Sequence, residues 1–258
     1  MNAPIEYFGG KNGMSKHIIE QFPDKETYNM YIEPFGGSYA VGLHMTYIPS
    51  IEIYNDLENN VYSLYKVLQD KDLFKEFQFL CELSPYDDAL RCEFKEKLKT
   101  DTLSILERAY MFFYVSRTSF NGTGGFSIST LVRKKMSKSI RNYLSVIERL
   151  DDLHERLSNV MVCNMDGIEL IKRHRDNEKA LIYSDPPYVQ CTRTSGQKYN
   201  IEMNDDLHDK FIDVCIGAKC KMLISGYDNE KYDILLDNGY TKVNFEHRNR
   251  VETLWKNY

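Results

Sequence analysis

The stretch Ala180-Leu-Ile-Tyr-Ser-Asp-Pro-Pro-Tyr188 decides how the rest of the chain is read. Its apolar, β-branched and aromatic beginning predicts a buried strand, and two prolines then forbid that strand from continuing. A carboxylate at the carboxyl end of a parallel strand stands where open α/β sheets bind ligands, so Asp185 is expected to face a cleft. Pro186 and Pro187 carry no amide hydrogen, which leaves nearby carbonyls able to accept hydrogen bonds. Tyr188 adds a flat apolar face. The plainer reading of these letters is a proline turn in which Asp185 caps the next segment.

Such a group of side chains suits a planar NH2 on an aromatic ring. Asp185 accepts one N–H, a carbonyl of the 184–186 segment accepts the other, and Tyr188 stacks on the ring. Both contacts strengthen as the nitrogen loses ring conjugation and develops a lone pair, so they favour the transition state.

Working outward, the same alternation of strand, turn and helix recurs on both sides of a helical middle. Tyr7-Phe-Gly-Gly-Lys11 is a glycine turn leading into a helical pattern from Met14 to Gln21. Met30–Glu33 reads as a strand, Pro34-Phe35-Gly36-Gly37-Ser38 as a second glycine turn, and Tyr39–Met45 as a helix. Strand, glycine turn and helix together let a ligand approach backbone N–H groups. Neither the dinucleotide fingerprint nor a P-loop is present. Ile51–Asp56 is a second strand ending in an acid, 23 residues beyond Glu33, near the ~20-residue spacing at which a carboxylate reaches a ribose hydroxyl. The alternative is that Glu33 and Asp56 are ordinary strand-end carboxylates.

Segments 58–69, 72–83, 86–98 and 103–116 carry helical spacing, and Ser139–Leu157 reads as one amphipathic helix. Between them lies the Gly/Ser-rich loop Ser116–Thr130, followed by Arg133, Lys134, Lys135, Lys138 and Arg141 with no acid among them. Residues 67–154 are therefore expected to form a helical insertion in an α/β domain made of 1–66 and 155–258. Strands are expected again at Val160–Asn164, Ala180–Ser184 and Lys221–Ser225. Helices are expected up to about Arg173, over Asp205–Ala218 and over Asn229–Leu236. Val189–Asn200 reads as a mobile loop, and Tyr240–Glu246 with Val251–Tyr258 as a closing antiparallel hairpin.

The composition sets bounds. With 258 residues and 42% apolar content, the chain can bury a large core. No apolar run approaches the ~20 residues of a membrane span, and the amino terminus shows no signal-peptide pattern, so a cytoplasmic protein without a membrane partner is expected. Six cysteines and six histidines lack metal-ligand spacing, so reduced thiols and no metal are expected. A monomer is expected in solution. The net charge of −5 means that a nucleic-acid partner must be argued from local charge.

The order Tyr-x-Gly-Gly-Lys, Glu-Pro-Phe-Gly-Gly-Ser, strand-end Asp, helical insertion, Asn-Met-Asp-Gly and Asp-Pro-Pro-Tyr resembles the Dam-like DNA adenine methyltransferases across nearly the whole chain. The resemblance implies a Rossmann-like α/β fold with an inserted, mostly helical target-recognition domain. It also implies methyl transfer from S-adenosylmethionine to the N6 amine of a flipped adenine in double-stranded DNA. By the same resemblance, Tyr7, Gly9, Gly10, Lys11, Glu33, Pro34, Phe35, Gly36, Gly37, Ser38, Asp56, Met165, Asp166 and Asp185 are expected at the cofactor. Asp185, Pro186, Pro187 and Tyr188 are expected at the target base. Arg117, Ser119, Phe120, Asn121 and Gly122 would reach bases, and Arg133, Lys134, Lys135, Lys138 and Arg141 would hold phosphates. Family members acting on GATC carry an Arg-Tyr-Asn-like segment after the Asn-Gly of this loop. Here Thr123-Gly124-Gly125-Phe126 follows, with no arginine to read guanine, so GATC is not predicted. Rival readings are N4-cytosine or RNA adenine methylation, and a nucleic-acid-binding module that keeps the fold without activity. Asp185 favours adenine, because the cytosine enzymes favour Ser-Pro-Pro-Tyr.

Overall fold

A computed structural model describes residues 1–7, 9–189, 202–247 and 250–258. Apart from Val189, the expected loop 189–200 lies outside the described residues. The architecture is α/β, built on a mostly parallel seven-stranded sheet. Its strands are β1 (Met30–Glu33), β2 (Ile51–Asn55), β5 (Val160–Cys163), β6 (Ala180–Ser184), β7 (Lys221–Gly226), β8 (Thr241–His247) and β9 (Arg250–Lys256), in the order β5-β2-β1-β6-β7-β9-β8. β1, β2, β6 and β7 run parallel, whereas β9 pairs antiparallel with both β7 and β8. Every residue of β6 is buried, as a central parallel strand requires.

The chain divides into two compact units, residues 1–10 with 59–162 and residues 11–58 with 163–258, and the division runs through β5. These limits are wider than the expected insertion 67–154. The first unit takes in all of α3 (Asn59–Gln69), whose Val61, Leu64, Tyr65 and Leu68 are fully buried. It also holds α4 (Lys71–Leu83), α5 (Asp88–Lys97), α6 (Ile105–Thr118), α7 (Lys138–Ile147) and α8 (Leu150–Leu157). Ser104 and Glu107 form a reciprocal capping box that starts α6, satisfying two amide groups that the helix cannot pair. Helix α6 packs on α3, and the rings of Phe77 and Phe113 meet edge to face at 5.4 Å.

Two expectations in this unit need correction. Ser139–Leu157 is two helices, because Arg149 leaves helical backbone at φ −117°, ψ 12°. That break lets Tyr143, Val146 and Ile147 on one side of it and Leu150, Leu153 and Leu157 on the other all bury. The basic stretch also contains an unforeseen hairpin of β3 (Val132–Arg133) and β4 (Met136–Ser137). Its two turn residues, Lys134 (φ 51°) and Lys135 (φ 64°), are left-handed, the backbone of a two-residue primed turn that favours Asn-Gly.

The first ten residues are tied into this same unit. The Glu6 carbonyl accepts the Ser116 hydroxyl at 2.8 Å, and a Cβ on Gly122 would stand 2.1 Å from that carbonyl oxygen. Gly122 also has φ +78°, so close approach and backbone together require glycine.

The second unit contains the parallel strands, α1 (Ser15–Ile19), α2 (Ala40–His44), α9 (Gly167–His174), α10 (Asp205–Cys215) and α11 (Ile234–Asp237). The expected helix Asn229–Leu236 is a 3-10 turn at Glu230–Tyr232 followed by the short α11. Ile32, Ile182, Met222, Phe211 and Trp255 lie in one core cluster, all essentially without solvent exposure. This core fixes the carboxyl ends of β1, β6 and β7 side by side.

Candidate active site

Asp185 follows the last residue of β6, and its carboxylate is held on two sides. Lys11 Nζ lies 2.7 Å from one oxygen, and the Ser225 hydroxyl, from the adjacent β7, donates to the other at 2.8 Å. The Tyr183 and Ser225 hydroxyls are 2.9 Å apart behind it. Lys11 lies just before α1, where its carbonyl accepts the Met14 and Ser15 amides. Its ammonium also stands 4.9 Å from the Tyr188 ring centre and 3.6 Å from Glu252 of β9. Thus Lys11, expected beside the cofactor, has its charge on Asp185.

Pro186 and Tyr188 are buried, and the Tyr188 hydroxyl donates to Glu252. The Tyr227 ring meets Tyr188 edge to face at 4.8 Å. Pro186, Tyr188, Ser225, Tyr227, Asn229 and Trp255 contribute to the wall of a shallow cleft. Ser225, Tyr227 and Glu252 escaped the sequence reading. In the sequence Glu252 is only an acid within the alternating run Val251–Tyr258.

A second group lies along the ends of β1 and β2. Glu33 is buried, accepting the Tyr31 hydroxyl at 2.6 Å and the Gly42 amide at 2.7 Å. Burial pushes its carboxyl up to about 8, with the charges of Asp185 and Glu52 adding to the effect and those two hydrogen bonds opposing it. A folded value above the unfolded one means that Glu33 contributes stability below pH 4.5, which is lost as pH rises through about 8. Glu33→Gln, which keeps an oxygen for both donors, is expected to flatten the fall in melting temperature between about pH 4.5 and pH 8. An unchanged slope in thermal scans across that range would rule out a titrating Glu33.

Asp56 accepts the Gly37 amide at 2.7 Å and the Glu58 amide at 2.8 Å, one on each oxygen. Its carboxyl is pushed up to about 6, mainly by burial. Asn55, which the sequence did not single out, donates to the carbonyls of Pro34 and Met165 and accepts the Met165 amide. One side chain thereby joins the Pro34–Ser38 turn to the Met165–Asp166 turn. Asp166 caps α9 through the Glu169 amide, and Phe35 lies where a Cβ on Gly167 would fall. Ser38 is buried in the same turn.

Residues 7–254 match the D12 class N6 adenine-specific DNA methyltransferases. The chain belongs to that family. It is a site-specific, adenine-specific DNA methyltransferase, its substrate is DNA, and its reaction requires a methyl donor. Comparison with curated proteins gave no match. Among the described residues of the methyltransferase, no group of acids, cysteines and histidines could hold a metal ion, and no helix is long and apolar enough to cross a membrane.

The remaining expected site residues belong to the first unit. Tyr7, Gly9 and Gly10 form a turn closed by the Gly10 amide on the Tyr7 carbonyl. Arg117 is largely buried, pairing with Glu6 at 3.8 Å and donating to the Asn142 carbonyl. Ser119 and Gly122 are buried, whereas Asn121 is exposed and Phe120 is 63% exposed. Arg141 makes a two-pronged pair with Glu148. Arg133, Lys134, Lys135 and Lys138 are exposed.

Proposed function

We propose that this methyltransferase takes its methyl group from S-adenosylmethionine and that Asp185 through Tyr188 hold the N6 amine of an adenine swung out of duplex DNA. The observation that carries the reading is the Asp185 carboxylate fixed at the end of β6 by Lys11 and Ser225, beside the Tyr188 ring. When bound, S-adenosylmethionine supplies a methyl carbon attached to a positively charged sulfur.

The chain's own groups fit that partner. Gly36 leaves room for the Tyr54 ring and Gly37 turns the backbone at φ 48°, which shapes a turn able to meet a ligand, and Asp56 fixes that turn while retaining oxygen lone pairs for ribose hydroxyls. Asp166 has one oxygen beyond its helix cap, which, with the backbone near Met165, suits an adenine ring. Asp185 accepts one N–H of the target amine, and a carbonyl of the 184–186 segment accepts the other. With the methyl carbon's bond to sulfur breaking as its bond to nitrogen forms, and the electron pair staying on sulfur, the amine would gain positive charge that Asp185 would stabilise before the surplus proton leaves. Swinging the base out costs a few kcal/mol, which contacts from the first unit offset.

In that unit, residues 67–154 act as the recognition segment. The exposed Phe120 suits insertion into the base stack, and the lysine-tipped hairpin suits phosphates. Two lysines kept in left-handed backbone, each at a cost of about 1 kcal/mol, support a role beyond turning the chain. The double variant Lys134→Asn with Lys135→Gly removes both charges and favours the same turn. It is expected to weaken binding to all duplex sequences alike and to reduce the slope of log affinity against log salt by about 1–2. An unchanged slope would return the hairpin to a merely solvated face.

The reading as a whole is tested by incubating the protein with unmodified duplex DNA and S-adenosylmethionine. Nucleoside mass spectrometry should then find N6-methyladenine, and modification-aware sequencing should give its sequence context. Methylated cytosine, or no product, would overturn it.

A further inference from the structure

We infer that Glu252 is a positioning residue for methyl transfer, anchoring the Tyr188 phenol and receiving the Lys11 ammonium when the target amine claims Asp185. The inference rests on the reading of Asp185 as the acceptor for that amine.

Three features of the structure converge on Glu252. The antiparallel pairing of β9 with β7 sets Leu254 against Ser225 and Thr253 against Gly226. Continuing that register, Glu252 reaches the end of β7, next to where Asp185 leaves β6. Its side chain is 5% exposed, so it is not a solvated strand acid, and burial raises its carboxyl above the usual range. A buried carboxylate is retained only with partners, and the partners here belong to the reaction: the Tyr188 hydroxyl and Lys11.

The geometry explains why two carboxylates flank one ammonium. Lys11 is 2.7 Å from Asp185 and 3.6 Å from Glu252. An incoming amine that approaches the Asp185 oxygen beside Lys11 competes with the ammonium for it. Expelling a buried ammonium to no partner would be costly. A shift toward Glu252 keeps it paired, so the exchange at Asp185 requires little movement. Meanwhile the hydrogen bond from Tyr188 holds the phenol by its far end, which fixes the ring face offered to the base. No covalent step is assigned to Glu252.

The test uses the full chain with S-adenosylmethionine and duplex DNA, in single-turnover and binding measurements. Glu252→Gln keeps the shape and removes the charge. It is expected to slow methyl transfer about tenfold or more, the effect of losing a charge-assisted contact, while affinities for cofactor and DNA stay within about twofold. In Glu252→Gln the ammonium loses the carboxylate it would move to, so adding Lys11→Met should slow transfer no further than Glu252→Gln alone. A Glu252→Gln rate within about threefold of the wild type, or losses that simply add in the double variant, would overturn the proposal. Tyr188→Phe deletes the same hydrogen bond from the other side and decides the case if Glu252→Gln does not fold. A wild-type rate in Tyr188→Phe would overturn the anchoring role. Failure of the broader reading looks different: the wild type would then form no N6-methyladenine, or Asp185→Ala would keep its rate.

Discussion

Asp185→Ala is expected to lower methyl transfer by about a thousandfold or more, in line with removal of a preorganised group that meets charge as it develops, while S-adenosylmethionine still binds. The carboxylate has the Lys11 ammonium on one oxygen and the Ser225 hydroxyl on the other, and neither partner belongs to the glycine turn at the end of β1. Truncating it removes the acceptor for the amine but leaves the Glu33, Asp56 and Asn55 contacts intact. Lys11 would remain buried with Glu252 at 3.6 Å, so the site keeps a partner for the ammonium and the fold is expected to survive. Calorimetric titration with cofactor and a methyl-transfer assay on the same preparation separate the two roles. A large loss of cofactor affinity with the rate limited only by binding would assign Asp185 to the cofactor and sink its role at the amine.

Gly36→Ala is expected to be the most damaging small change at the cofactor end. An added Cβ would fall 2.2 and 2.5 Å from two atoms of the Tyr54 ring. That ring has no room to yield: it is fully buried, its hydroxyl donates to the Gly37 carbonyl at 2.8 Å, and it meets Tyr39 edge to face at 5.0 Å. The turn itself is pinned by the Gly36 amide on the Asn55 carbonyl and by the Tyr39 amide on the Gly36 carbonyl. Relief therefore has to come from the backbone that is proposed to face the methyl donor. Overpacking of this kind costs about 1–3 kcal/mol, a fall of roughly 2–10 °C in melting temperature for a chain of this size. Cofactor affinity should fall about tenfold or more, since a shift near 1 Å in a binding group has effects of that order or larger. Gly125→Ala is the control, because nothing lies within 4 Å of its added Cβ; it should melt and bind as the wild type does. Normal cofactor affinity in Gly36→Ala would remove this turn from the binding site.

Much of the frame was legible because periodicity reports burial. β1 at Met30–Glu33 and β6 at Ala180–Ser184 run over the residues expected, since short apolar runs ended by turn residues admit few other readings. Helix ends were harder. The Ser139–Leu157 pattern looks continuous because hydrophobic spacing carries across the break at Arg149, and only packing on two sides requires the kink. The β3–β4 hairpin was hidden because its turn uses two lysines where glycine and asparagine are the usual signal. Among site residues, Asp185 announced itself through the prolines, while Asn55 stood beside the more conspicuous Asp56 and was overlooked.

The sequence by itself determined the order of the strands along the chain, the turns that glycine makes possible, and the presence of Asp-Pro-Pro-Tyr at a strand end, because these follow from local sterics and periodicity. Tertiary structure alone decided which charges meet. Lys11 and Glu252 are 241 residues apart in the sequence, and nothing local states that both approach Asp185. That meeting is set by strand order and by the antiparallel register of β9 on β7, which are fixed only when the whole sheet is assembled.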